Sequence, residues 1–275
     1  MNNASSAEQS LRDGDPRAAL AQLQEQVKAQ PADPKLRVFL FQLLCVVGQW
    51  ERALNQLSVA AGLDPAALAM AQTYGDAVRC ELMRAQVFSG QKSPMVLGAP
   101  EQWLALLIES LLVSARGQHK QSEHLRAQAF EEAQAISGQI DGQPFNWISD
   151  ADSRVGPVLE VIMNGRYYWI PFTRLSKITI EPPEDLRDVV WMPAHLQFEN
   201  GGESVAFIPT RYPGSEASED GLIVLARKTI WEEMGTDAYR GLGQRVFTTD
   251  TAELPLMEVR SITLNSEPNP DSSDA

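Results

Sequence analysis

Residues that usually carry enzymatic chemistry are scarce in this sequence. Its 275 residues include only two cysteines and three histidines, and no Gly-x-Ser-x-Gly elbow, Walker lysine or Cys-x-x-Cys pair occurs. His119 and His124 are five positions apart, so a helix would not bring them onto one face as metal ligands. We therefore predict no catalytic residue, no metal site and no cofactor. Cys45 and Cys80 lie within helical apolar patterns, which indicates buried thiols rather than a disulfide.

Long apolar runs and positive charge are lacking as well. No stretch approaches the roughly 18 apolar residues of a membrane-spanning helix, and the N-terminal segment lacks the basic and apolar regions of a signal peptide. The 36 acidic residues outnumber the 23 basic ones, and the formal net charge of -13 would repel nucleic acid and anionic membranes. We expect a cytoplasmic protein with no nucleic-acid partner and no membrane insertion.

What the sequence does contain is an internal repeat in its first third. A glycine, an alanine and two leucines of residues 14–23 recur 34 residues later in residues 48–57, and Pro31 recurs as Pro65. A period of 34 residues is typical of tetratricopeptide helix-turn-helix units. A third unit begins around Tyr74 but lacks the next turn glycine, so we expect an atypical, capping end to the array.

Helix signals agree with this repeat. Asp15-Pro16 and Asp33-Pro34 each place an N-cap acid before a proline at the first helical position. The apolar periodicity predicts helices at residues 4–13, 16–29, 34–47, 50–62, 65–88, 100–116 and 118–136. The sixth helix is apolar nearly all round, so it is either buried inside the protein or buried on one face with a partner on another.

From about residue 145 the apolar pattern alternates, which predicts strands. Asn164-Gly165 between two apolar runs is the strongest two-residue hairpin signal. The predicted strands are residues 158–163, 166–171, 176–180, 189–198, 204–209, 222–226, 244–248 and 256–264, with a short helix at 228–234 and a turn around Gly241 and Gly243. The fold class is α+β and multidomain: an N-terminal tetratricopeptide-like all-α helical array (residues 1–138), a C-terminal β-rich, mixed or antiparallel domain (140–265) and a disordered tail (266–275).

A cluster of acidic and basic residues supports an alternative function. Trp147, Asp150, Asp152, Arg154 and Arg166 could line the pocket of an enzyme or a small-ligand-binding protein. The same aspartates could instead cap the turns of a loop, as short acidic side chains commonly do. An EF-hand is disfavoured because the run lacks its glycine and its distal glutamate. If these side chains converge in a cleft, the binding pocket is favoured. If the aspartates accept hydrogen bonds from the backbone of their own loop, the turn-capping role is favoured.

Several blocks of the second half occur in the same order in a known family. They are WISDADSR (147–154), GPVLE (156–160), NGRYYW (164–169), DLRD (185–188), RYPG (211–214) and GLGQR (241–245). With these blocks the chain resembles, over nearly its whole length, the ImpE/TagJ family of accessory proteins of bacterial type VI secretion. The resemblance implies a non-catalytic adaptor that binds the N-terminal helix of the sheath subunit TssB and associates with the AAA+ ATPase ClpV.

The repeat itself predicts where a partner would bind. Tetratricopeptide arrays bind ligands on the concave surface lined by the first helix of each unit, and an amphipathic helix could bury its apolar face there. The predicted groove residues are Val38, Gln42, Cys45, Val46, Gln72, Asp76, Arg79, Trp103, Leu107 and Leu111. Their apolar members could equally be core between helices. A general scaffold for an unrelated peptide would fit the same pattern.

Overall fold

Seven α-helices form the N-terminal part of the described chain. A computed structural model describes residues 4–99 and 101–265, so the predicted tail, 266–275, lies outside the described residues. The helices are α1 (Ala4–Arg12), α2 (Pro16–Ala29), α3 (Pro34–Val46), α4 (Trp50–Leu63), α5 (Leu68–Phe88), α6 (Gln102–Ala115) and α7 (His119–Glu132). They confirm the predicted helical array, and none of the described helices is long and apolar enough to cross a membrane.

The first helices begin where the sequence signals predict. The Asp15 carboxylate accepts a hydrogen bond from the backbone N–H of Ala18 at 2.8 Å, and Asp33 likewise caps α3. Gly14 has a φ of +85°, a left-handed conformation that favours glycine, in the turn between α1 and α2. Within the array, α1 packs on α2 and α3 packs on α4, while contacts of α2 with α3 and α4 with α5 join successive pairs.

The C-terminal part is built on strands. The described residues form β1 (Met95–Val96), β2 (Gly138–Ile140), β3 (Gln143–Phe145), β4 (Ile148–Asp150), β5 (Val158–Met163), β6 (Arg166–Pro171), β7 (Leu175–Ile180), β8 (Trp191–Phe198), β9 (Glu203–Pro209), β10 (Thr229–Gly235), β11 (Ala238–Gly243), β12 (Val246–Thr249), β13 (Glu253–Pro255) and β14 (Ser261–Leu264). Nine of them form one mixed sheet in the order β1-β6-β5-β9-β8-β7-β14-β2-β3. Two smaller sheets contain β10-β11 and β13-β12-β4. The Asn164-Gly165 hairpin between β5 and β6 is confirmed.

Three local predictions in the second half are wrong. Residues 222–226, predicted as a strand, fall largely within the short helix α8 (Gly221–Val224), because the Asp220 carboxylate caps it at the N–H of Leu222. Residues 228–234, predicted as a helix, are strand β10, whose partner β11 follows a tight turn. Gly241 lies within β11 and not in a turn. A Cβ there would lie 2.2 Å from the ring of Tyr212, so glycine is needed for close packing.

Gly241→Ala is therefore expected to lower the free energy of unfolding by about 1–3 kcal/mol, because the added methyl group overpacks a site against the buried Tyr212. Gly62→Ala, near the end of α4, is the matched control. A Cβ at Gly62 meets nothing within 4 Å, so this change should be neutral or stabilise the protein by up to about 1 kcal/mol. Urea unfolding of both variants checks the pair, and equal effects would contradict the close packing at Gly241.

The helical and strand-rich parts share one hydrophobic cluster. Phe41 of α3 and Val78 of α5 belong to the same buried cluster as Trp169 and Trp191 of the large sheet. A second cluster, which includes Phe247, lies on the opposite face of that sheet. Apart from the short edge strand β1, which the helical part contributes to the large sheet, the chain changes from helices to strands between residues 132 and 138, near the predicted boundary at 138–140. That this boundary separates two independently folding units stays a prediction.

Candidate functional site

Half of the predicted groove residues are packed in the shared core. Cys45, Val46 and Leu107 are fully buried, and Trp103 and Leu111 are each 6% exposed. Burial also raises the pKa of the Cys45 thiol well above its usual value, so this cysteine is held as a neutral thiol. In this conformation these five side chains contact the chain itself and offer no surface to a partner.

The chain's own C-terminal part contacts the end of α3 that carries two of the predicted groove residues. The Arg211 guanidinium donates hydrogen bonds to the carbonyl oxygens of Val46 at 2.6 Å and Cys45 at 3.3 Å. A cation at this position pairs with carbonyl groups that the helix leaves free and with the negative end of its dipole. The Trp191 ring lies 5.8 Å from that of Tyr74 on α5. The predicted trough is therefore not one open groove.

The other five predicted groove residues lie at or near the surface, beside two clefts that flank the N-terminal half of α5. We name the smaller one the α3 cleft. It has a volume of about 280 Å³ and contains Val38 and Gln42, both half-buried. Its lining residues are Pro34, Lys35, Val38, Phe39, Gln42, Asp64 and Ala67.

We name the larger one the sheet cleft, because it lies between α5 and the nine-stranded sheet. Its volume is about 610 Å³. Gln72 and Asp76 of the predicted groove line it, and the exposed Arg79 pairs with Asp76 at 2.6 Å. Its lining residues are Gln72, Thr73, Asp76, Ile162, Asn164, Gly165, Glu181, Pro193, Ala194, His195, Val205, Ala206 and Phe207.

Sequence reasoning missed the contribution of the sheet to this second cleft. Val205 is 73% exposed although it lies within a strand of a large sheet. The only signal for it is the unbroken apolar run of residues 205–208, where an alternating strand would place polar side chains toward solvent. A run of this kind is also what a strand buried on both faces shows, so the sequence does not distinguish the two.

A buried ionic network joins α5 to the sheet, and sequence reasoning missed it too. The Arg84 guanidinium donates from Nε to Glu160 Oε1 at 2.8 Å and from Nη2 to Glu160 Oε2 at 3.1 Å. Arg245 also donates a hydrogen bond to Glu160, and the Tyr167 hydroxyl donates one to the same carboxylate. Glu160 is fully buried within β5, between apolar neighbours. The sequence signal that could have revealed this network is Glu160 itself, the single acidic residue in an otherwise apolar strand.

The network extends on both sides of Glu160. Arg245 also pairs with the Asp150 carboxylate, which accepts a second hydrogen bond from the Tyr212 hydroxyl at 3.0 Å. On the helical side, Glu81 accepts a hydrogen bond from the indole N–H of Trp191 at 3.0 Å. Every one of these polar groups is buried and has a partner, as buried charges require.

The charges in this network set the ionisation of its carboxyl groups. Burial would raise the pKa of Glu160, but the charges of Arg84 and Arg245 outweigh it and hold that pKa well below its usual value. For Asp150 burial dominates and raises the pKa to about 6, although Arg245 partly offsets it. Burial likewise raises the pKa of Glu81. All three carboxyl groups are buried, with at most 8% of each residue exposed.

The alternative pocket around Asp150 does not form an open site. Asp150 accepts a hydrogen bond from the backbone N–H of Asp152 at 2.8 Å, and Asp152 accepts one from the N–H of Arg154 at 2.9 Å. Asp152 also pairs with the Arg154 guanidinium at 2.6 Å. Both aspartates are buried, whereas Trp147 is 39% exposed; Arg166 is exposed at the start of β6. The aspartates therefore cap a loop and brace the junction, as the second interpretation predicted.

Comparison with known proteins finds relatives that cover nearly the whole chain. A family model described as "ImpE protein" matches residues 142–263. The "Type VI secretion system accessory component TagJ" of Pseudomonas aeruginosa PAO1 is 48% identical over 256 residues, which cover 93% of this chain and 90% of that protein. The crystal structure of protein VPA1032 from Vibrio parahaemolyticus superposes with a TM-score of 0.88 at 26% identity, over 95% of this chain and 98% of that one. The superposition includes both the helical and the strand-rich part.

Proposed function

Because this chain belongs to the ImpE/TagJ family of type VI secretion accessory proteins, we propose that it is a non-catalytic adaptor that binds the N-terminal helix of the sheath subunit TssB and links the contractile sheath to the ClpV ATPase. The observation that carries this proposal is the 48% identity to the TagJ protein over 93% of the chain. Its two partners are those that the family resemblance implies. The adaptor would act in the cytoplasm.

The surface supports helix binding better than catalysis. Apolar side chains are exposed around the N-terminal half of α5, where Leu68 is 58% exposed and Leu63, at the end of α4, is 41% exposed. Val205 adds a third on the neighbouring sheet. An amphipathic helix that covered such residues would gain about 25 cal/mol per Å² of apolar surface before ordering costs. Asp150 and Asp152, the acidic residues of the alternative pocket, are instead buried.

A linking role places a condition on the two binding sites. The adaptor must hold the sheath helix and the ATPase at the same time, so the two surfaces cannot overlap. Binding of one partner should then not exclude binding of the other, and any effect of one on the affinity for the other should be reciprocal.

The test uses the purified full-length chain, a fluorescent synthetic peptide of the TssB N-terminal helix, and ClpV. We expect the peptide to bind the chain in an anisotropy titration, and ClpV immobilised on beads to retain the peptide only when the chain is present. A peptide of the same composition in scrambled order is the control. Absence of peptide binding would overturn the adaptor proposal. Displacement of the peptide by ClpV would overturn the linking role.

A further inference from the structure

The helical layer covers one face of the nine-stranded sheet only in part. Phe207 of β9 points toward the helices, because its ring lies 5.2 Å from that of Tyr74 on α5. Val205 is two residues away on the same strand and therefore faces the same side. It is 73% exposed, whereas Phe207 is half-buried. The cover provided by α5 thus ends between these two residues.

The uncovered face continues across neighbouring strands. Val205 pairs with His195 of β8, and His195 pairs in turn with Thr179 of β7. Directly paired residues lie on the same face of a sheet, so these three side chains form a row across β9, β8 and β7. Adjacent strands are about 4.8 Å apart, so the row spans about 10 Å. That width matches the diameter of one α-helix with its side chains, about 10–12 Å.

We propose that the partner helix docks on this face, beside α5, as one further helix of the layer that covers the sheet. The proposal rests on the proposed function and assigns its helix-binding site. The sheet cleft is the space between α5 and this face, and Ile162, Val205 and Phe207 give it apolar lining. Gln72 and Asp76 form the wall on the α5 side. A helix in this position completes the two-layer packing that α5 begins.

The charges of the sheet cleft specify the chemistry of its occupant. Its lining contains two carboxylates, Asp76 and Glu181, and no lysine or arginine. Arg79 already pairs with Asp76, whereas Glu181 forms no ion pair with any other described residue. The docking helix therefore carries an apolar stripe over Val205 and Phe207 and a lysine or arginine that faces Glu181. The chain's formal charge of -13 also favours a cationic partner.

The α3 cleft fits a helix less well. Its volume of about 280 Å³ is less than half that of the sheet cleft. Its charged lining residues, Lys35 and Asp64, have opposite signs and give no preference for either charge. The two clefts nevertheless allow a matched experiment, because each contains one valine and at least one charged residue that can be changed in the same way.

The experiment titrates the TssB helix peptide against full-length variants. Val205→Asp should weaken binding by about tenfold or more, because it places a charge against the apolar stripe of the bound helix. Val38→Asp, in the α3 cleft, should leave the affinity within about twofold. Likewise, the charge reversal Glu181→Lys should weaken binding, whereas Lys35→Glu should leave the affinity nearly unchanged. Circular dichroism shows whether each variant is folded. Lys35 is exposed, so Lys35→Glu should not disturb folding and remains a valid control even if Val38→Asp does.

The outcomes separate this proposal from the function on which it rests. Binding that is normal in Val205→Asp and Glu181→Lys overturns the sheet site while leaving the adaptor role in place. Losses confined to Val38→Asp and Lys35→Glu would move the site to the α3 cleft and also overturn it. Absence of binding by the unaltered chain removes both the function and the site. Weakened binding by Val205→Asp and Glu181→Lys alone supports the sheet site.

Discussion

Glu160→Ala is expected to lower the free energy of unfolding by about 3–5 kcal/mol, because it leaves two buried guanidinium groups without their shared counter-ion. Arg84 and Arg245 both donate to this carboxylate, and all three side chains are at most 5% exposed. Neither arginine can reach water without opening the junction between α5 and the sheet. Glu160→Gln preserves the side-chain volume, so a similar loss in that variant assigns the effect to charge and not to a cavity.

The matched control is Glu232→Ala, which removes a glutamate from the exposed pair with Arg240 on the β10–β11 hairpin. An exposed ion pair contributes about 0–1 kcal/mol, so this change should be nearly neutral. Guanidinium unfolding at pH 7 provides the comparison. Equal losses for Glu160→Ala and Glu232→Ala would show that the buried carboxylate does not hold the junction.

The depressed pKa of Glu160 gives the same variants a pH signature. A carboxyl group whose pKa is lowered by folding contributes stability above its unfolded pKa of about 4.3, and this contribution is lost as the pH falls toward the folded value. The stability difference between the unaltered chain and Glu160→Gln should therefore be largest at neutral pH and shrink below about pH 4. A difference that grew on acidification would contradict the assigned direction.

The helical part, residues 1–138, is expected not to fold stably when expressed alone. It would expose the surfaces of Tyr74 and Phe88 that now contact Trp191, Phe207 and Trp169, and would leave the buried cluster without its members from the sheet. Each large apolar side chain that loses its burial costs about 1.5–3 kcal/mol, while a typical domain is stable by only about 5–15 kcal/mol. The isolated part would also leave Arg84 without Glu160.

Circular dichroism and thermal unfolding of the 1–138 fragment test this expectation. We expect helical signal without a cooperative transition, and recovery of a transition when residues 139–275 are co-expressed. The full-length chain is the reference. A cooperative melt of the lone fragment at the full-length temperature would show that the two parts are independent units that merely touch.

Local signals in the sequence were sufficient for the helices and for one hairpin. Asp15 and Asp33 are followed by prolines that start helices, and the 34-residue period relates successive helix pairs, so these elements depend on neighbouring residues only. The β5–β6 hairpin likewise follows from its two-residue turn. Strand β10 was missed because its partner β11 stabilises it, and its own residues show no clear alternation.

The binding surface depends on contacts that sequence periodicity does not report. An apolar stripe on α3 is required equally by a foreign helix and by the chain's own core, and here Cys45 and Val46 are buried in the cluster that the helices share with the sheet. Arg211 is 165 residues from Val46, so their hydrogen bond could not be inferred from spacing. Gln72 and Asp76 were identified from the repeat, whereas Val205 and His195 required the sheet register.

Hydrogen exchange of the full-length chain, with and without the TssB helix peptide, tests the central claim most directly. A helix beside α5 should slow exchange in residues 72–76, 162–165, 193–195 and 205–207, which border the sheet cleft. Residues 34–42 of α3 should exchange at the same rate in both states. Protection of residues 34–42, with none at 193–195 and 205–207, would contradict the account and return the partner to the helical array.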